Sequence, residues 1–312
     1  MASSTFCTFT DPDAYHAAIR TQPVTGVALA RGHFHAELTR IDFDRLLTQR
    51  FFANLAHVLN FSTNPRRTAI LFAAGQNQPE MHVSGIRLSS GEVVAWGSGL
   101  AGHYRSTAAS TWGAMTVANA DLAATGEVVT GRELVSSQSP HRIRTPAPEL
   151  SRLLNLHQTA CHLAKTAPDI LAEAEVGRAI EQALMEAMIE CLAGGDWVNL
   201  RSVHRHHSRV MRRLEQVLEA NPEGPLYISE LCQQTGVSYP TLRACCQEHL
   251  GVSPKRYLLL RRMHLARRAL RQAGAGKTSV TDVATHYGFW ELGRFSVVYR
   301  SLFGESPSVT LR

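Results

Sequence analysis

Arg243 and Gln247 stand one helical turn apart in Tyr239-Pro-Thr-Leu-Arg-Ala-Cys-Cys-Gln247, and Arg294 and Arg300 punctuate the run from Trp290 to Arg300. A guanidinium is a planar fork of N–H donors that fits the O6/N7 edge of guanine or a pair of phosphate oxygens, while a carboxamide both donates and accepts. Read as helices, the two runs turn Tyr239, Pro240, Thr241, Arg243, Ala244 and Gln247 outward on the first. On the second they turn out Trp290, Glu291, Leu292, Arg294, Val297 and Arg300. Their chemistry is contact with a DNA groove rather than bond making, and no residue is given a catalytic role. Arg243 and Arg294 are expected at bases, Gln247 at a base or phosphate, and Arg300 at a phosphate. Pro240, Leu292 and Val297 suit thymine methyls and DNA shape.

The elements that must hold these side chains are written twice. Ile228-Ser-Glu-Leu-Cys-Gln-Gln-Thr-Gly236 returns as Val280-Thr-Asp-Val-Ala-Thr-His-Tyr-Gly288, and Gly251-Val-Ser-Pro254 returns as Gly304-Glu-Ser-Pro307. The offset is 52 at the first glycine and 53 at the closing proline, so the second turn carries one extra residue. Each copy reads as helix, glycine turn, helix. Ile228, Leu231 and Cys232 share one face, and Leu242, Cys245, Cys246 and Leu250 form the buried stripe of the next helix. In the second copy Ser279-Val-Thr-Asp282 is a capping box, and Phe295, Val298, Tyr299 and Phe303 repeat the stripe. Between the copies, Pro254 to Ala273 contains no breaker and reads as one helix of about 20 residues, roughly 30 Å long. Successive major-groove faces of B-DNA lie about 34 Å apart.

Charge follows the same division. Residues 205–312 carry a net +8 and the preceding 204 residues a net −2, within a total of +6. One part is thus suited to a polyanion and the other is not. The six cysteines lack CxxC spacing, which points to buried thiols in a cytoplasmic protein rather than zinc ligands or a disulfide framework. No apolar run is long enough to span a bilayer, and Met1-Ala-Ser-Ser-Thr lacks the features of a signal peptide.

Ser253-Pro254, Arg261-Arg-Met263, Ala266-Arg-Arg-Ala-Leu270, Val283-Ala284, Gly288-Phe289, Phe295, Phe303-Gly304 and Ser306-Pro307, in this order, resemble the DNA-binding domain of the AraC/XylS family of bacterial transcription regulators. Tyr299 departs from the family's usual phenylalanine, the tail Ser308-Val-Thr-Leu-Arg312 from its usual Tyr-Arg ending, and Trp290 from a small N-cap residue. The resemblance implies double-stranded operator DNA, a small-molecule effector and RNA polymerase as partners, a homodimer, and no cofactor.

Upstream, Val24–His35, Thr68–Ala73, Met81–Leu88, Glu92–Trp96, His103–Arg105 and Trp112–Val117 read as short strands, with turns at Asn64-Pro65 and Ser90-Gly91, and suggest a small barrel or sandwich. The resemblance implies a cupin-like β-barrel that binds effector. Leu150, Leu153, Leu154, His157, Cys161 and Ala164 form a helical stripe, as do Val176, Ile180, Leu184, Ala187, Met188 and Cys191. These two helices either dimerise the chain, as in family members, or cover the β domain. The expected α+β architecture is thus a β-rich sensor (1–147), helices (148–193), a linker (194–204) and a double helix-turn-helix domain (205–312). His33, His35, Trp96, His103, Tyr104 and Trp112 are the candidate effector contacts. His33-Phe-His35 would set two imidazoles on one face of a strand, but Glu37 is too close to complete a cupin metal set, so no metal ligand is assigned. His204-Arg-His-His207 reads as the start of a solvated helix. The expected function is a ligand-responsive regulator that activates a catabolic or metabolic operon. Competing readings are a metal-sensing cupin, a constitutive DNA-binding protein and a DNA-alkylation repair protein, the last lacking its Pro-Cys-His-Arg acceptor motif.

Overall fold

A computed structural model describes residues 2–19, 25–75, 78–89, 91–137, 139–198, 202–221, 226–273 and 278–312. The chain begins with β1 (Ser3–Phe9), α1 (Pro12–Ala18), β2 (Thr25–Ala28), β3 (Ala36–Asp42), β4 (Leu46–Ala53), β5 (His57–Ser62) and β6 (Arg67–Ala73). It continues through β7 (Met81–Val83), β8 (Ile86–Leu88), β9 (Glu92–Trp96), β10 (Ala101–Ser106), β11 (Ser110–Ala118), α2 (Asn119–Thr130) and β12 (His141–Arg144). Helices α3 (Ala147–Thr166), α4 (Pro168–Ala172) and α5 (Ala174–Gly194) follow, then β13 (Asp196–Val198). The remainder is helical: α6 (Ser202–Ala220), α7 (Ile228–Thr235), α8 (Tyr239–Leu250), α9 (Pro254–Ala273), α10 (Val280–His286), α11 (Leu292–Phe303) and α12 (Pro307–Thr310).

The strands form two antiparallel sheets. The larger runs β1-β3-β4-β11-β6-β9-β12-β13 and the smaller β2-β5-β10-β7-β8. Period-two alternation gives the larger sheet two buried faces. Phe51, Leu71, Trp96 and Trp112 point at the smaller sheet and meet Leu59 and Tyr104 there. Ile41, Ile70, Met115 and Val117 point the other way and pack on Leu153 of α3 and Leu184 and Met188 of α5. Among the described residues no ladder joins the two sheets, so of the expected barrel or sandwich the open sandwich is what forms, and no closed barrel is seen. The smaller sheet ends in strands of four and three residues, β2 and β8, which offer few groups for closure.

Helices α3 and α5 bury the stripes expected of them, with Leu154, Val176 and Ile180 half-buried, and they cover the larger sheet. Three sequence expectations change. The strand expected over Val24–His35 is limited to β2; Gly32 sits at φ +130°, and His33 and His35 lie in the loop before β3, not on one strand face. Within the expected linker, β13 extends the larger sheet beside β12, with Trp197 donating to the Leu192 carbonyl (3.1 Å). Helix α2 lies inside the β-rich region and buries only Leu122, Thr125 and Gly126, too little for a readable stripe. Ser90 of the Ser90-Gly91 turn lies outside the described residues, as do the side chains of His204 and Arg205.

Candidate nucleic-acid interface and sensor cavity

Gly236 ends α7 at φ +72°, in the left-handed region that the tight turn demands and that a side chain disfavours. Pro240 occupies the first turn of α8, where its missing N–H costs no hydrogen bond. Leu231, Leu242, Cys245, Cys246 and Leu250 are buried. Burial raises the Cys245 thiol to about 11 and raises Cys246 as well, so both are packing groups rather than thiolates. That packing leaves Pro240, Arg243, Ala244 and Gln247 exposed, with Tyr239 and Thr241 half-buried.

The second unit is built alike. Ser279 Oγ accepts from the Asp282 N–H (3.1 Å) and Asp282 accepts from the Ser279 N–H (3.0 Å), the expected reciprocal cap. The N-cap of α11 is Glu291, one residue after Trp290, and its side chain makes no capping bond. Trp290, Glu291, Leu292, Arg294, Val297 and Arg300 are all exposed. Among the described residues Arg294 is held by a long ion pair to Glu291 (3.9 Å), and it points into solvent. Helix α9 joins the units without a break over 20 residues. The two departures near the C-terminus meet each other: the Tyr299 hydroxyl donates to Thr310 Oγ1 (2.8 Å), which donates on to Glu305 (2.8 Å).

Between its two sheets the β-rich domain has a cavity of about 180 Å³ that reaches the surface beside Asn64. Strands β4, β11 and β6 lie side by side, and their inward residues align as Gln49, Ala114, Leu71 and as Leu47, Thr116, Ala69. The alanines leave the space. Gln49 is 1% exposed, yet among the described residues neither atom of its carboxamide has a hydrogen-bond partner, and Trp112 Nε1 likewise has none. Arg67 Nη2 donates to the carbonyls of Thr116 (2.8 Å) and Arg45 (3.3 Å), while its buried Nε has no partner.

Of the six candidate effector residues, Trp112 lines this cavity. Tyr104 stacks on Trp112 (4.6 Å) and bonds Ser110 (3.0 Å). Trp96 donates to the Leu100 carbonyl (3.0 Å) within the core. His33 borders a second space of about 150 Å³, beside Arg267 and Phe303. His35 is exposed at 3.8 Å from Glu37, and His103 faces the helical domain. Sequence reasoning missed Gln49, Phe51 and Arg67. Its available signal was Leu47-Thr-Gln49-Arg-Phe51, where alternation places a carboxamide between two apolar inward residues.

Comparison with known proteins places this arrangement. Residues 231–312 match the helix-turn-helix domain family. A solved structure of a probable AraC family transcriptional regulator from Rhodopseudomonas palustris is 37% identical over 33% of this chain and 94% of its own, with a TM-score of 0.30. The helix-turn-helix match, with the operon regulators that resemble it, makes this an AraC/XylS family transcription regulator. The probable thc operon regulatory protein of Rhodococcus erythropolis is 33% identical over 40% of this chain, and the XylDLEGF operon transcriptional activator of Pseudomonas putida is 37% identical over 32%. The matches span 40% and 31% of those two relatives' own lengths.

In this AraC/XylS regulator the β-rich domain contacts the connector between the two helix-turn-helix units. Asp11 pairs with Arg267 and Arg271 of α9, and Asp13 with Arg268 (2.7 Å). Burial opposes the charge of Asp11, but the Arg267 bond and charge outweigh it and hold its carboxyl below the usual range. On the smaller sheet, Val27 and Val58 join the core of the helical domain. Glu215 of α6 accepts from Asn60 (2.7 Å) and bonds the His103 imidazole (3.1 Å). His264 of α9 accepts from the Ala28 N–H (3.3 Å), and burial lowers it to about 4.

Proposed function

We propose that this AraC/XylS regulator binds double-stranded operator DNA by placing α8 and α11 in successive major-groove segments, and that a small-molecule effector in its sensor controls that binding. The observation that carries the reading is the pair of rigid helices presenting Arg243 and Arg294 outward from one basic domain. A polyanion answers the net +8, and groove edges answer the exposed apolar residues between the arginines. The cavity between the sheets supports ligand response, since a largely apolar recess with a few polar groups such as Gln49 and Arg67 suits a small molecule. The contact of the sensor with α9 supplies a route: a ligand that alters the sandwich alters the hold on the helix that spaces the two units. The relatives' names speak of operon regulation and operon activation, and we assign activation of a catabolic or metabolic operon. RNA polymerase and a second copy of the chain are the remaining partners in this reading, with the outer surfaces of α3 and α5 as the dimerisation element. The test is selection of an operator from random duplexes by the full-length protein, followed by binding with and without a metabolite panel. Sequence-specific binding that one metabolite changes is expected; uniform, salt-sensitive affinity for all duplexes overturns the reading.

A further inference from the structure

Among the described residues the two sheets end in four strands, β1, β13, β2 and β8. An edge strand offers unpaired N–H and C=O groups to any strand that can reach it, and proteins blunt such edges with short length or charge. Three of these edges are blunted. β13 and β8 are three residues long and carry Asp196 and Arg87. The four-residue β2 lies against α9, where His264 takes the Ala28 N–H (3.3 Å). β1 is different: Ser3-Ser-Thr-Phe-Cys-Thr-Phe9 runs for seven residues with no charge, proline or glycine.

The hydrogen-bond phase of β1 follows from its neighbour. The His35 carbonyl accepts from the Asn54 N–H (3.0 Å) and the Phe43 N–H donates to the Leu46 carbonyl (2.9 Å). Odd-numbered residues from 35 to 43 therefore turn their backbone groups to β4, and even-numbered ones turn to β1. Leu38 with Cys7 and Arg40 with Thr5 are then the hydrogen-bonded pairs of the β1–β3 ladder. Ser4, Phe6 and Thr8 are left with their N–H and C=O groups aimed out of the sheet, and among the described residues no strand meets them. Lys165 of α3 lies over the Phe6 ring (4.1 Å) on one face of β1, while Ser3, Thr5 and Cys7 are exposed on the other.

The edge is complementary to itself. When two copies of β1 lie antiparallel about a two-fold axis through Phe6, Ser4 of each copy pairs with Thr8 of the other, and every outward N–H and C=O is met. The facing side chains are hydroxyl on hydroxyl and ring on ring, both favourable cross-strand pairs, and no like charges oppose each other. A shift by two residues leaves one outward residue of each strand unpaired. A foreign strand is selected by side-chain pockets along the edge it joins, and neither cavity described above is lined by a residue of β1.

We infer that β1 is a homodimer joint, at which two copies of the chain pair β1 with β1 about Phe6 and fuse their larger sheets into one. The inference rests on the reading of the chain as a homodimer and gives that dimer a strand joint beside α3 and α4, which pack on β1.

Cysteine cross-linking and light scattering of the full-length protein test it. In this register Thr5 of each copy faces Cys7 of the other in a non-hydrogen-bonded pair, where Cα atoms stand about 4.5 Å apart, within the range of a disulfide. Thr5→Cys should give a covalent dimer under mild oxidation, while wild type and Thr5→Cys/Cys7→Ser run as single chains on a non-reducing gel. Thr8→Pro removes an N–H that faces outward and leaves the β3 ladder intact. It should weaken dimerisation about 10- to 100-fold, as loss of two backbone hydrogen bonds per dimer does. Thr5 is exposed, so the cross-link covers the case in which Thr8→Pro fails to fold. No cross-link in Thr5→Cys, or an unchanged dimer affinity in folded Thr8→Pro, overturns the inference; a wild-type dimer then leaves the homodimer reading standing on another surface. A wild-type cross-link through Cys7 overturns the register about Phe6. Light scattering of a monomer at every concentration overturns the joint and the homodimer reading together.

Discussion

At the scale of single residues, the proposed groove surface of α8 and α11 divides into side chains assigned to base reading and side chains assigned to phosphate contact. Arg294 extends from the first turn of α11 and Arg243 from the start of the second turn of α8, both in the N-terminal half that meets base edges in a recognition helix. Arg243→Ala and Arg294→Ala should each cost about 1–3 kcal/mol of operator binding and relax preference at one base pair. Arg300 lies near the other end of α11. Arg300→Ala should weaken all sequences evenly and lower the salt dependence, as loss of one phosphate contact does. Competition binding on a library of single-base operator variants, at two salt concentrations, separates the two outcomes. A second residue-scale pair belongs to folding rather than recognition. Tyr299 and Thr310 are each unusual for the family, and each supplies the other's hydrogen bond. Tyr299→Phe should therefore cost about 0.5–1.5 kcal/mol, and the same change on a Thr310→Val background should cost less. A double-mutant cycle by denaturant unfolding measures that coupling; strict additivity would show that the two departures are unrelated.

Elements make these placements repeatable, and their termini are where sequence chemistry is most legible. The cap of α10 is reciprocal between Ser279 and Asp282 and fully exposed on the Asp282 side. Ser279→Ala should lower stability of the helical domain by about 0.5–2 kcal/mol. The change should appear as a lower urea midpoint at constant slope, with base preference at Arg243 unaltered. The same legibility extends through Gly236, Pro240, Gly251 and Pro254, because a turn that needs positive φ or tolerates a missing N–H admits few residue types. It extends to α3 and α5, where a 3.6-residue stripe over 20 and 21 residues averages out exceptions. It stops in the sandwich. Strands such as β4 and β3 carry apolar residues on both faces, since one face meets the helices and the other the second sheet, and an alternation buried on both sides loses its contrast. Arg67, Gln49 and Phe51 went unnoticed for that reason. His33 and His35 drew attention by their type, and Gly32 removes them from any strand. Trp112 was visible because a tryptophan bounded by small residues stands out without knowledge of its neighbours.

At the scale of the whole molecule, the two halves are tied by charges at the rim and by uncharged imidazoles within. His264 lies under β2, accepts the Ala28 N–H, and faces Asp13, Arg267 and Arg268. His57 of β5 is lowered to about 4 by burial, and His16 of α1 falls well below 6.5, by burial first and then by His57, His264 and Arg268. His57 turns to Tyr104 inside the sandwich and is not released when the halves part, whereas His264, with His16 beside it, binds a proton near 6.5 when released to water. Between about 6.5 and 4 the separated or unfolded forms therefore hold more protons than the docked form. Docking is at full strength above pH 6.5 and weakens as pH falls towards 4, by at most about 1.4 kcal/mol per pH unit for each imidazole involved. The rim obeys another rule. Asp11, held below its usual range, keeps its pairs with Arg267 and Arg271 through that whole interval, and salt reaches chiefly the Arg271 pair, whose guanidinium is the more exposed. Acid and salt should thus act separately and add. Limited proteolysis or small-angle scattering of the full-length protein should report opening at pH 5 in low salt, and a smaller opening at pH 7.5 in high salt. Asp11→Asn should erase most of the salt effect and leave the acid effect in place. His264→Gln, which can still accept from Ala28 but cannot take up a proton near pH 6, should blunt the acid effect and spare the salt effect. An opening profile flat from pH 7.5 to 5 would show that the imidazoles stay buried when the halves part, leaving the arginine–aspartate contacts as the hold of the sensor on α9.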